Sequence, residues 1–164
     1  MQREDAIIAY TDGACFGNPG PGGVGVVLKY KNNRKEISQG YKHTTNNRME
    51  FLAVIYALEA IKPDSNLKVI LHTDSALLVN TFTKGWAESW EKKGWRKAKN
   101  EIPKNLDLVQ KIYELIKKRK VEFVWVKGHA GIPENERCDV LSKQAAESSD
   151  QLIDTVYMEL INIF

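Results

Sequence analysis

Two short apolar runs in this chain end the same way. Ile7-Ile8-Ala9-Tyr10-Thr11 stops at Asp12-Gly13, and Val69-Ile70-Leu71-His72-Thr73 stops at Asp74-Ser75. Short apolar runs bounded by turn signals are the pattern of buried central strands. Laid parallel and adjacent, they bring two aspartates side by side at their carboxyl ends, where open α/β sheets place ligand sites. Like charges a few Å apart must take up a proton or share a cation. The repeated strand-Thr-Asp ending therefore predicts a metal site at one end of an α/β sheet.

The rest of the chain supplies what such a sheet needs. Val24–Tyr30 reads as a strand, and Arg34–Tyr41 as its antiparallel partner across Lys31-Asn32-Asn33. Gly20, Gly22 and Gly25 have the G-x-G-x-x-G spacing of a dinucleotide fingerprint. That motif needs a helix to open at the glycines, so that its N-terminus meets the pyrophosphate; a strand follows here, and the reading is rejected. Thr44-Thr45-Asn46-Asn47 offers helix caps. A helix is predicted from there to about Ile61, ended by Pro63. Met49, Leu52, Ala53, Tyr56, Ala57 and Ala60 recur at helical spacing. Phe51, Val54, Ile55 and Leu58 leave it little polar face, so it is a central, mostly buried helix. Glu50 is placed in its first turn.

After the second Thr-Asp strand, a helix is predicted from about Ser75. Lys84 to Lys104 then holds seven Lys/Arg against three Glu, with three tryptophans among them. Asn105 is a candidate cap for a helix from Leu106 to about Lys118. Val121–Val126 reads as a strand, residues 127–133 as a loop, and a helix carrying Asp139 begins near Glu134. The order β-β-β-α-β-α-(basic insert)-α-β-α implies a mixed sheet covered by helices. Ser148-Ser149-Asp150 is expected to start a last helix, with Ile153, Val156, Tyr157, Leu160 and Phe164 as its apolar stripe.

At 164 residues, one domain is the natural count. No apolar run approaches the roughly 18 residues of a membrane span. The first residues lack a signal peptide's apolar segment. Two cysteines, Cys15 and Cys138, fit reduced thiols rather than a disulfide framework, so a cytoplasmic protein is expected. The net charge of +3 is too small to indicate nucleic acid by itself; the clustering in the basic stretch says more.

Each acidic residue also has an ordinary reading. Asp12 could be a turn residue before Gly13, Asp74 a helix cap, Glu50 part of a capping box with Asn47, and Asp139 one more solvated helix acid. None of these explains the set. Two strand ends and two helices deliver four carboxylates, each toward one end of the sheet. Oxygen-only ligands select hard divalent cations such as magnesium or manganese. A pair of such ions, roughly 4 Å apart, can activate water and stabilise the leaving oxygen of a phosphodiester.

These residues carry a family resemblance. Thr11–Cys15 with Gly17–Gly23 resembles the first signature of type 1 ribonucleases H. Thr44–Glu50 resembles the second, Thr73-Asp74-Ser75 the third, and Lys127–Gly131 with Pro133–Asp139 the fourth. Four motifs in order, from about residue 6 to 147, make a specific match. The resemblance implies an α/β ribonuclease H-like fold: a five-stranded mixed sheet of order 3-2-1-4-5, flanked by helices, with a basic helical protrusion at about 84–104. It implies a catalytic domain over 1–150, with 151–164 as a C-terminal helical extension of it. It implies an endonuclease that hydrolyses the RNA strand of RNA–DNA hybrids, leaving 5′-phosphate and 3′-hydroxyl ends, with two Mg2+ per site and Mn2+ as a substitute.

By the same resemblance Asp12, Glu50, Asp74 and Asp139 match metal-binding acids, and His129 matches a loop histidine that assists proton movement or product release. Asn18 matches a residue near the substrate groove. Asn46 and Asn47 match contacts to the 2′-hydroxyl and base edges, the former being what distinguishes RNA from DNA. Thr45, Trp86 and Asn105 match a pocket for a DNA phosphate. Lys92, Lys93 and Lys97 belong to the protrusion that neutralises phosphates. Ala98 departs from a hydroxyl-bearing residue that some relatives use at that pocket, which weakens it here.

The ordinary reading of the protrusion is a charged helix pair with Trp90 and Trp95 in a small local core. A monomer is expected, its tail docked on its own surface or, alternatively, on a partner. The competing functions are a catalytically silent hybrid-binding domain and a related metal-dependent nuclease or strand-transfer enzyme acting on DNA. The intact acidic set disfavours the first; the Thr44–Glu50 segment and the basic insert disfavour the second.

Overall fold

The computed structural model describes residues 5–162. Six strands form one sheet: β1 (Ala6–Cys15), β2 (Gly20–Tyr30), β3 (Asn33–Thr44), β4 (Lys68–Thr73), β5 (Val121–Trp125) and β6 (Gln151–Leu152), in the order β5-β4-β1-β2-β3-β6. The expected order 3-2-1-4-5 is retained, and a two-residue strand adds a sixth member at the β3 edge. β1, β2 and β3 pair antiparallel, whereas β4 runs parallel to β1 and β5 parallel to β4. Tyr10 lies opposite His72, which sets Asp12 and Asp74 just past the last paired residues of adjacent parallel strands.

Side-chain alternation along the strands defines two layers. Ile7, Ala9, Val24, Val26, Leu28, Val69 and Leu71 face α1 (Asn46–Glu59), and Leu108 and Ile112 of α4 (Leu106–Lys117) complete that core. On the other face, Tyr10 and Val27 pack with Cys138 and Leu141 of α5 (Pro133–Glu147). α1 is buried nearly all round, as its composition predicts. Its cap is Thr45, whose hydroxyl accepts from the Arg48 N–H at 3.2 Å. Glu50 is the fifth helical residue, just past the first turn in which the sequence placed it.

Ser75 caps α2 (Ala76–Thr83), leaving the Asp74 carboxylate out of that role. The insert contains α3 (Trp86–Lys92) and a 3₁₀ turn at Ala98–Asn100. Trp95 meets Tyr113 of α4 edge-on at 5.8 Å, and Lys117 pairs with Glu91 at 2.6 Å, so the insert is fastened to α4.

The tail departs from expectation. No helix starts at Ser148; its hydroxyl instead accepts from the Asp150 N–H in a turn. Gln151 and Leu152 then pair parallel with Gly40 and Tyr41, and α6 (Thr155–Ile161) begins only where Asp154 caps it. Phe164 lies outside the described residues. Both cysteines are free, and no helix among the described residues is long and apolar enough to cross a membrane.

Candidate metal centre and nucleic-acid face

Asp12 and Asp74 reach the sheet end by the same route. Two residues before each, Tyr10 and His72 stack at 4.4 Å across the β1–β4 pair. Strand alternation then puts the two aspartates on that same face. Glu50 comes from the opposite layer. It can approach because β1 carries Gly13 there: a Cβ at that position would lie 2.4 Å from the Glu50 backbone nitrogen. Carboxylate oxygens of Asp12, Glu50 and Asp74 lie within 4.8 Å of one another.

Asp12 and Glu50 are buried and Asp74 is half-buried. Burial, then the charges of Asp74 and Asp139, push the Asp12 carboxyl up to about 7. Burial, then Asp12 and Asp74, raise Glu50 well above the ordinary carboxylate range. Asp74 is also raised, again chiefly by burial. One oxygen of Glu50 is buried without a hydrogen-bond partner. Buried polar atoms seldom stay unpaired in folded proteins. An oxygen-only cluster with an orphaned acceptor and mutually repelling charges fits a hard divalent cation.

The other predicted residues are distributed around this cluster. Asp139, on α5, stands at its rim. It is close enough to raise Asp12, but its carboxylate pairs with Lys143 at 3.0 Å. His129 lies in the loop after β5 with φ +56°, its ring exposed, its Nδ1 3.9 Å from a Glu136 oxygen. The His129 charge acts on Asp74, and Gly128 packs against the Asp74 carboxylate. A residue that assists proton transfer without holding the metal leaves much of the chemistry intact when removed. His129→Ala is expected to lower turnover roughly 10- to 100-fold with little change in KM; steady-state kinetics check this, and either complete loss or no change would remove the role.

Beside the acids runs a polar turn. The Asn18 side-chain oxygen accepts from the Asn46 N–H at 2.9 Å, which brings the first and second signatures together. Thr45 and Asn46 are half-buried and Asn47 is exposed. Asn105 takes a left-handed conformation at the start of α4 and makes no side-chain cap. Its oxygen instead faces Arg48 Nη1 at 3.4 Å, which ties it to the same turn. Trp86 stands exposed at the start of α3. Lys92, Lys93 and Lys97 are exposed, with Lys92 3.4 Å from Glu88 on its own helix.

Sequence reasoning assigned no role to Arg48, Asp107, Asp154, Glu136 or Lys143. Arg48 had a signal: a charge inside an otherwise apolar helix requires a buried partner. Its partners lie 59 and 106 residues away, out of reach of any local pattern.

A protein-family model described as RNase H matches residues 4–147. The Ribonuclease H of Syntrophus aciditrophicus is 54% identical over 151 residues, spanning 92% of this chain and 86% of its own. That of Desulforamulus reducens is 52% identical over 148 residues, spanning 90% and 92%. Among solved structures, LC9-RNase H1, a type 1 RNase H with the type 2 active-site motif, superposes with a TM-score of 0.78 at 33% identity, covering 96% of this chain and 81% of that one. LC11-RNase H1 in complex with RNA/DNA hybrid gives 0.66 at 31% identity, covering 86% and 96%.

Proposed function

The chain belongs to the RNase H family, and on that premise we infer that it is a ribonuclease H, an endonuclease that hydrolyses the RNA strand of RNA–DNA hybrids to 5′-phosphate and 3′-hydroxyl ends. The observation that carries this reading is the meeting of Asp12, Glu50 and Asp74 beside a turn of amides able to recognise ribose. Asp12, Glu50 and Asp74, with Asp139 at the rim, would hold two divalent cations, Mg2+ or in its place Mn2+. Such ions supply an activated water and neutralise charge on the scissile phosphate and leaving oxygen.

The chain's own groups do the rest. Asn46 and Asn47 offer donors and acceptors to a 2′-hydroxyl and to base edges, and Asn18 fixes the start of their turn. Thr45, Asn105 and Trp86 face a phosphate of the DNA strand, and Trp86 also packs against its sugars. His129, on a backbone flanked by Gly128 and Gly131, takes or delivers a proton at an imidazole nitrogen as product leaves. Asp139, paired with Lys143, would complete the acidic set. Residues 1–150 form the catalytic unit, with 151–164 appended. The docking of that tail on its own β3 supports a monomer, and two free cysteines support a reducing, cytoplasmic setting.

The protrusion's lysines act through phosphate charge and carry no sequence information. Replacing Lys92, Lys93 and Lys97 with glutamine is expected to raise KM and flatten its salt dependence by up to roughly 0.9 in log–log slope per lost phosphate contact. KM measured across a salt series checks this, and an unchanged slope would place the lysines off the substrate.

The deciding experiment compares end-labelled RNA–DNA hybrid, duplex DNA and duplex RNA, each with magnesium and with chelator. Cleavage confined to the RNA of the hybrid and dependent on magnesium is expected. Binding without cleavage, or cleavage of duplex DNA, would overturn the reading.

A further inference from the structure

The C-terminal segment lies beyond residue 147, where the family match ends, yet it reaches the substrate turn. Asp154 Oδ2 accepts from the Thr44 hydroxyl at 2.7 Å and from Arg48 Nε at 2.7 Å, while Oδ1 accepts from Arg48 Nη2 at 3.1 Å. Thr44 and Arg48 are the residues on either side of Thr45-Asn46-Asn47. One carboxylate therefore grips both flanks of that turn. The remaining Arg48 donors go to Asp107, at 2.9 and 2.7 Å, in the first turn of α4, and to the neighbouring Asn105 oxygen at 3.4 Å.

Thr44, Arg48 and Asp154 are out of water, Arg48 2% and Asp154 8% exposed, while Asp107 is half-buried. Burial works to raise the Asp154 carboxyl, but its bonds to Arg48 and Thr44 hold it below its ordinary range. Its charge is thus present at neutral pH and lost only in acid. A buried guanidinium deprived of one partner cannot turn to solvent, so it must shift and take the turn with it.

We propose that Asp154 is a positioning residue, which clamps Thr44 and Arg48 so that the Thr45–Asn47 turn and Asn105 are held in the shape the hybrid docks on. This rests on the assignment of that turn to hybrid recognition. The clamp acts on docking and leaves the chemistry alone, because Glu50 is anchored separately. Its neighbours Met49 and Phe51 are buried in the core, and its backbone lies against Gly13. Loosening the first helical turn then moves the amides and leaves the metal-binding carboxylate in place.

The test uses the full chain with Asp154→Asn, and with Thr44→Val as a milder variant. kcat and KM are measured on labelled hybrid, below the melting temperature of every protein compared. Asp154→Asn is expected to raise KM about five- to tenfold with kcat within about twofold, and Thr44→Val to raise KM in the same direction by less. A purely structural staple would lower the melting temperature and leave both constants alone; that result, or a fall in kcat at unchanged KM, overturns the clamp. Should Asp154→Asn fail to fold, Thr44→Val decides: a raised KM supports the clamp and an unchanged one removes it. If the unsubstituted chain does not cut the hybrid, the functional reading fails and the clamp with it. Normal cutting with unchanged KM in the variants removes the clamp alone.

Discussion

Asp12→Asn is expected to abolish magnesium-dependent hydrolysis, by about 10³-fold or more, while raising the melting temperature of the metal-free protein at neutral pH. The two effects share one cause. Without a cation, Asp12 is an acid held where a charge is unwelcome, its carboxyl raised from 3.8 to about 7 by burial first and then by Asp74 and Asp139.

A native carboxyl raised above its unfolded value works against stability as it ionises. Between about pH 4 and 7 the unfolded chain has released this proton and the native one still holds it, so metal-free stability falls as pH climbs through that window. An amide removes the conflict. The variant's advantage should therefore be absent below about pH 4 and complete above 7. With coupling to its neighbours discounted, it is worth roughly 1–3 kcal/mol, or about 2–12 °C in melting temperature. Melting curves in chelator at pH 4, 6 and 8 measure it. Magnesium should raise the melting temperature of the parent far more than that of the variant. A variant that melts lower than the parent at pH 8 in chelator, or that keeps near-normal turnover, would sink the account.

The second large effect is expected at Gly25, which pairs with Asp12 across β1 and β2. Gly25→Ala should lower the melting temperature by roughly 6–12 °C, corresponding to about 3 kcal/mol of overpacking. A Cβ on Gly25 would lie 2.2 Å from the Cys138 carbonyl oxygen and 3.0 Å from the Ser142 nitrogen, both backbone atoms of α5. Neither can swing aside, so the helix must lift. Gly23 and Gly40 meet α5 in the same way, at Ser142 and Ala145. The row is a groove in the sheet into which the helix backbone settles. Asp139 follows Cys138 directly, so the lift should also cost activity at temperatures where the variant remains folded. Calorimetry with parallel turnover measurements decides; a variant that melts like the parent would mean that α5 does not lie so close.

That groove shows where sequence reasoning stops. The G-x-G-x-x-G spacing ending at Gly25 lies in strand β2, and no helix opens at its glycines. Nothing local said what Gly25 was for, since the answer is the backbone of a helix more than a hundred residues on. The strand-Thr-Asp endings were legible because period-2 patterning and parallel pairing together fix where the next side chain points. Glu50 was legible as a helix acid grouped with the others, but not how it gains access, which depends on the missing side chain of Gly13 in another element. The start of the tail helix was misplaced. Its apolar stripe suggested a helix from Ser148, but the Ser148 hydroxyl closes a turn and Asp154, the true cap, is committed to Arg48. Short polar side chains that can bond their own backbone or a distant partner leave no periodic trace.

The two-residue strand β6 has a consequence of its own. β3 would otherwise end the sheet, and an open sheet edge invites pairing with another molecule. Toward its start β3 carries Arg34, Lys35 and Glu36, whose charges discourage such docking. At Gly40 and Tyr41 that protection lapses, and there the chain lays down its own Gln151 and Leu152. A protein shortened at residue 150 would thus keep its acidic cluster yet offer an unguarded rim to every other copy in solution.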